Sequence, residues 1–162
     1  MNWMKKVAVA LVCLLPLGLQ AAKVDTLQVK SPSMDKSIEV VVVSPDVAAT
    51  KACPVIYLLH GYGGNARTWV GIKPDLPKIA DEKGIFFVCP DGKNTWYWDS
   101  PLNADVRYET FISNELVKYV DSHYKTVADR KGRAITGLSM GGHGAMWNGL
   151  RHSDVFSAAG ST

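Results

Sequence analysis

The stretch Gly137-Leu138-Ser139-Met140-Gly141 constrains this chain more than any other. It follows Arg133 to Leu138, which reads as a strand, and it opens Met140 to Arg151, which reads as a helix. Strand, Gly-x-Ser-x-Gly and helix in that order is the context of a nucleophile elbow, a turn so tight that its serine sits in a strained backbone conformation. Side chains two residues either side of the serine would collide, which accounts for Gly137 and Gly141. Gly142 thins the first helical turn and lets strand and helix pack closely. The helix N-terminus directs partial positive charge toward the place where an oxyanion would form. Ser139 is therefore the candidate nucleophile, and the N–H of Met140 a candidate oxyanion donor.

The rest of the chain supplies the frame such an elbow needs. Val24 to Val29 and Ser37 to Val43 are strand-like runs of Val, Ile and Thr. Val55 to Leu59 is continuously apolar, as in a strand buried on both faces of a parallel sheet. Asp75 to Lys83 reads as a short helix closed by Gly84, and Ile85 to Val88 as the next buried strand. Tyr108, Phe111, Ile112, Leu116, Tyr119 and Val120 recur at helical spacing. Phe156 to Ala159 begins a further strand. Strands alternating with helices predict an α/β fold with a mainly parallel sheet covered on both faces. Ligand sites in such sheets lie outside the carboxyl ends of the strands. That rule singles out the loops after Leu59 and Cys89 and the turn after Leu138.

The loop after Leu59 is His60-Gly61-Tyr62-Gly63-Gly64, and it is similar to the oxyanion loop that accompanies such an elbow. Tyr62 N–H is its candidate donor, paired with Met140 N–H. Neither glycine segment has the Gly-Lys-Ser/Thr of a phosphate-binding loop or the spacing of a dinucleotide fingerprint. In the loop after Cys89, Trp96 and Trp98 are candidate substrate-binding residues, able to stack on a sugar or an aromatic acyl group. Asp91 and Asp99 precede the nucleophile and are read as loop caps. Glu115 is read as a partner for a backbone N–H. His60 reads as structural, His123 as a helix end, and His143 as packed against the sheet.

Residues 1–22 read as a signal peptide: Lys5 and Lys6, then 13 apolar residues from Val7 to Leu19, then Gln20-Ala21-Ala22. That run, interrupted by Pro16, falls short of the roughly 20 residues needed to span a bilayer. Residues 23–162 form the expected catalytic domain, secreted or periplasmic and free of the membrane after cleavage. Without Lys5 and Lys6 the 18 basic residues become 16 against 15 acidic ones, a net charge of +1. No block of like charge argues for nucleic acid. Cys53 and Cys89 are expected at opposite ends of neighbouring strands, beyond the ~7 Å reach of a disulfide, as two buried thiols. No His/Cys/Asp cluster has metal-ligand spacing, so neither metal nor cofactor is expected.

The segments Val55 to Asn65, Cys89-Pro90-Asp91-Gly92, Trp96 to Pro101 and above all Asp129 to Ala145 resemble a secreted α/β-hydrolase esterase family. That family includes feruloyl and acetylxylan esterases, with esterase D-type thioesterases and mycolyltransferases as relatives. The resemblance runs from about Ser37 to the end of the chain. It implies an eight-stranded core, ester hydrolysis through an acyl-enzyme, and a Ser-Asp-His triad. In this fold the acid and base follow the nucleophile in the chain. Only 23 residues follow Ser139, and among them His143, His152 and Asp154 do not fit. The expectation is a chain cut short before the last strands, carrying the nucleophile without its acid and base, and inactive alone.

The expected substrate is a small-molecule or polysaccharide-linked ester, feruloyl, acetyl or short-chain acyl. Two further readings share these residues: an acyltransferase of the mycolyltransferase type, and an inactive hydrolase fold that binds carbohydrate through Trp96 to Trp98. S-formylglutathione hydrolysis fits a secreted protein less well.

Overall fold

The computed structural model describes residues 22–162, which form one six-stranded sheet with helices on both faces. The predicted signal peptide lies, but for Ala22, outside the described residues. The strands are β1 (Lys23–Ser31), β2 (Lys36–Ser44), β3 (Val55–Leu59), β4 (Phe86–Pro90), β5 (Arg133–Gly137) and β6 (Ala158–Ala159). Their spatial order is β1-β2-β4-β3-β5-β6. The β1/β2 hairpin joins β4 antiparallel, whereas β4, β3, β5 and β6 run parallel. Four parallel strands therefore deliver their carboxyl ends to one edge, where the site lies.

Alternation along β2 divides the core. Val40 and Val42 face a large cluster with Tyr57, Leu59, Phe86 and Ile135, while Val41 and Val43 face a smaller one with Leu58, Phe87 and Cys89. Helices α1 (Thr68–Ile72) and α2 (Leu76–Lys83) lie between β3 and β4 in the chain, and Leu76 and Ala80 of α2 enter the smaller cluster. The larger cluster is roofed by α3 (Tyr108–Thr110), a π-helical segment Phe111–Leu116, α4 (Val117–His123) and α5 (Met140–Arg151).

Val55 to Leu59 and Met140 to Arg151 fall where the pattern places them, and Gly84 closes α2 at φ 63°. Both hairpin strands extend past their apolar runs, since the antiparallel ladder continues through polar pairs such as Lys30–Ser37. The periodic run from Tyr108 is not uniformly α-helical. Ser113 Oγ donates to the Glu109 carbonyl at 2.7 Å, engaging an acceptor at the start of the π segment. Helix α1 has no apolar periodicity to announce it; Trp69 secures it by donating Nε1–H to Leu59 O at 3.0 Å. The expected strand from Phe156 shrinks to two residues, because Phe156 turns inward and meets Tyr57 edge-on.

Cys53 and Cys89 are free, buried thiols. They belong to the two different core clusters and are therefore separated by the sheet itself. Asp99 caps α3, accepting from Thr110 N–H at 3.0 Å and Thr110 Oγ1 at 2.6 Å. Glu115 accepts from Ser33 N–H at 2.8 Å, as expected of a backbone partner.

Candidate active site

At the end of β5 the chain reverses into α5 through Ser139, whose φ of 55° and ψ of −113° lie outside the regions open to most L-residues. The glycines allow it. A Cβ placed on Gly141 would lie 2.2 Å from the Leu59 carbonyl oxygen, and one on Gly142 would lie 2.3 Å from Ser161 Oγ. Leu138 N–H donates to Leu59 O at 3.1 Å, so the turn is bonded to the end of β3. Ser139 is exposed at the N-terminus of the 12-residue helix α5.

The loop after β3 lies against this turn. A Cβ on Gly61 would come within 3.6 Å of Ser139 Cβ. Gly61 to Gly64 form a tight turn closed by Gly64 N–H donating to Gly61 O at 3.0 Å. Gly63 occupies the position that requires positive φ, at 77°. Its N–H donates to Asn94 Oδ1 at 2.8 Å, tying the loop after β3 to the loop after β4. Among the described residues, neither Tyr62 N–H nor Met140 N–H donates to a protein acceptor outside regular helix and strand pairing.

Of the four histidines, none among the described residues bonds Ser139 Oγ. His60 is buried; Nε2 accepts from Gly92 N–H at 2.9 Å and Nδ1 lies 2.7 Å from Gly61 O, so it is a structural tie, as the sequence suggests. An Nε2 that accepts carries no proton, which leaves Asp91 Oδ1 at 3.5 Å beside it without a hydrogen bond from it. His123 stacks on Tyr119, and His152 Nε2 lies 2.8 Å from Glu109 Oε1. Asp91 caps its own loop, accepting from Lys93 N–H at 2.9 Å and Lys93 Nζ at 2.6 Å. Burial pushes the Asp91 carboxyl up, but the hydrogen bonds and positive charge of Lys93 outweigh it and hold the carboxyl well below the usual carboxylate range.

His143 departs from expectation. It is exposed rather than packed on the sheet. Its Nδ1 lies 3.3 Å from Trp96 O, and its ring sits edge-on to Trp96 and parallel to Trp147. Four residues beyond Ser139 on α5, it shares the helix face below the elbow, and that spacing was the available signal. With Trp96 and Trp98, each 44% exposed, it lines a cleft of about 330 Å³. Tyr97, read from the sequence as part of one aromatic run with Trp96 and Trp98, is instead buried while its two neighbours are exposed. Nothing in its neighbours' residue types distinguishes it. Among the described residues no group of three or more His, Cys, Asp and Glu could hold a metal, and no helix is long and apolar enough to cross a membrane.

The Esterase family model, described as "Putative esterase", matches residues 31–162. The chain belongs to this esterase family. It is 32% identical over 102 residues to an acetyl esterase of Caldicellulosiruptor saccharolyticus, covering 62% of this chain and 37% of that protein. It is 30% identical over 145 residues to the MPT51/MPB51 antigen of Mycobacterium tuberculosis, covering 88% of this chain and 46% of that one. This esterase-family chain thus spans less than half the length of either curated relative. Among solved structures it is similar to a ferulic acid esterase, at 31% identity and a TM-score of 0.72, covering 85% of this chain and 58% of that one. The fold is that of the α/β-hydrolases, and the family resemblance read from the elbow and its loops holds.

Proposed function

We propose that this chain is the nucleophile-bearing part of a secreted serine carboxylic-ester hydrolase. Ser139 Oγ attacks the ester carbonyl carbon, and the Met140 and Tyr62 N–H groups receive the charge on the carbonyl oxygen. The carbon–oxygen bond to the alcohol breaks, the alcohol leaves with a proton, and water then releases the acid from the acyl-Ser139 ester. The base that takes the Ser139 proton is a group outside the described residues. The cleft of Trp96, Trp98 and His143 receives a feruloyl, acetyl or short-chain acyl group, or the sugar that bears it. Secretion rests on the pattern of Lys5, Lys6 and the apolar run to Leu19.

The observation that carries this reading is the backbone of Ser139. A non-glycine residue at φ 55° and ψ −113° costs about 1–3 kcal/mol, and such strain concentrates at active sites. The test exposes the purified chain to a fluorophosphonate probe and to 4-nitrophenyl acetate. Slow but stoichiometric labelling that disappears in Ser139→Ala is expected, because oxyanion donors sustain a residual reactivity even without the base. A folded chain that takes up no probe overturns the assignment.

The lack of an imidazole bonded to Ser139 Oγ among the described residues favours a second reading, a hydrolase fold that binds carbohydrate through Trp96 and Trp98. Saturable xylo-oligosaccharide binding without labelling at Ser139 would establish it.

A further inference from the structure

Trp96 and Trp98 turn outward, and Tyr97 between them turns inward to complete burial. Three elements close on its side chain. The hydroxyl donates to the His60 carbonyl at 3.1 Å, and the ring meets the His60 imidazole edge-on at 5.7 Å. Gly92 and Gly144 form its socket: a Cβ on Gly92 would lie 2.0 Å from the ring, and one on Gly144 would lie 2.5 Å away. Its own carbonyl accepts from Asn148 Nδ2 at 3.0 Å, which fastens the loop to α5. Trp96 and Tyr97 both hold positive φ, 58° and 59°, a state that bulky residues keep only when their surroundings enforce it.

The acceptor of the Tyr97 hydroxyl is the carbonyl that begins the loop beside Ser139. The elbow presses on that same carbonyl, since a Cβ on Gly141 would lie 2.7 Å from it. Gly61 comes next, against Ser139, and Tyr62 follows. Burial pushes the Tyr97 hydroxyl far above the ordinary tyrosine range, so it remains a donor throughout the working pH range.

We propose that Tyr97 is a positioning residue: by holding the His60 carbonyl, its hydroxyl fixes the Gly61–Gly64 turn, and with it Tyr62 N–H, relative to Ser139. The consequence for catalysis rests on the nucleophile and oxyanion roles proposed above. Tyr97→Phe leaves the ring in its socket and removes only the donor.

Two measurements test it. In amide hydrogen exchange, Gly63 and Gly64 should exchange about tenfold faster in Tyr97→Phe, while Tyr57 and Leu58 in β3 keep their protection. In saturation kinetics of fluorophosphonate labelling, the maximal rate at Ser139 should fall about tenfold with the half-saturating concentration unchanged. A general loss of stability would instead raise exchange in β3 as well. Unchanged exchange at Gly63 and Gly64, or an accelerated β3, overturns the positioning role. An unchanged maximal labelling rate overturns its consequence for Ser139. A wild-type chain that never labels, with exchange responding as expected, sinks the nucleophile assignment and leaves Tyr97 as the residue that holds the turn.

Discussion

Gly137 and Gly141 meet backbone to backbone across the elbow: a Cβ placed on Gly137 would lie 2.3 Å from the Gly141 carbonyl carbon and oxygen. Backbone cannot give way there as a flexible side chain would. Gly137→Ala should destabilise the fold by about 1–3 kcal/mol or more, the range for overpacked cores, read as a lower urea midpoint. A methyl group placed on Gly71 in α1 would meet no atom within 4 Å, so Gly71→Ala should stabilise the fold by about 0.4–1 kcal/mol and raise the midpoint. Equal effects at the two positions would refute the packing argument.

The strain at Ser139 has a stability signature of its own. Ser139→Gly should be more stable than Ser139→Ala by about 1 kcal/mol, because glycine adopts the observed φ and ψ without a Cβ penalty. Both variants should lose probe labelling alike. Urea unfolding of the pair decides it, and an alanine variant as stable as the glycine one would mean the turn is relaxed.

Trp96 and Trp98 are half-exposed, so replacing either by Ala should leave stability within about 1 kcal/mol of the parent. Binding of methyl ferulate, followed by calorimetry, should weaken about tenfold, the order of one ring–ring contact. Tyr97→Ala, which empties a buried site, should instead cost about 3–5 kcal/mol. Undiminished binding in both tryptophan variants would remove the cleft from the substrate path.

Two carboxylates set the acid limit of stability. Asp91 is held low as described, and Glu109 is held low too: burial raises it, but hydrogen bonds from Arg151, Trp147 and His152 outweigh that. A carboxyl whose folded pKa lies below its unfolded value of about 4 stabilises the fold above that pH. The contribution is lost as pH falls below about 4 toward the folded value. The urea midpoint should therefore drop between about pH 5 and pH 3. Asp91→Asn with Glu109→Gln should flatten that slope, and an unaltered slope would exclude these two groups.

Burial pushes the Cys89 thiol up to about 12 and raises Cys53 as well. In a Cys13→Ser chain, neither should react with a disulfide reagent at about pH 8 until urea unfolds the protein. Fast reaction of either thiol in the native state would contradict its place in the core.

The elbow was legible because its chemistry is local. Gly137, Ser139 and Gly141 lie within five residues, and the demand for glycine on either side of a strained serine shows in residue types alone. The β3 strand and helix α5 were equally plain, one as a continuous apolar run and the other by its position after the turn. Boundaries were less visible in β1 and β2, where hydrogen bonding continues past the apolar residues. The π segment from Phe111 to Leu116 was hidden because its buried positions keep near-helical spacing.

By itself the sequence determined the α/β frame, the tight turn at Ser139 and the glycine loop beside it, since each follows from short-range pattern. Only the tertiary structure decided what surrounds Ser139. His143 leaves the sheet for the aromatic cleft because Trp96 and Trp147 offer it ring contacts there. Tyr97 becomes the tie between two loops and helix α5 because Gly92, Gly144 and the His60 carbonyl, far apart in the chain, converge on one buried ring. Convergence of that kind depends on strand order and packing, and no local pattern of residues records it.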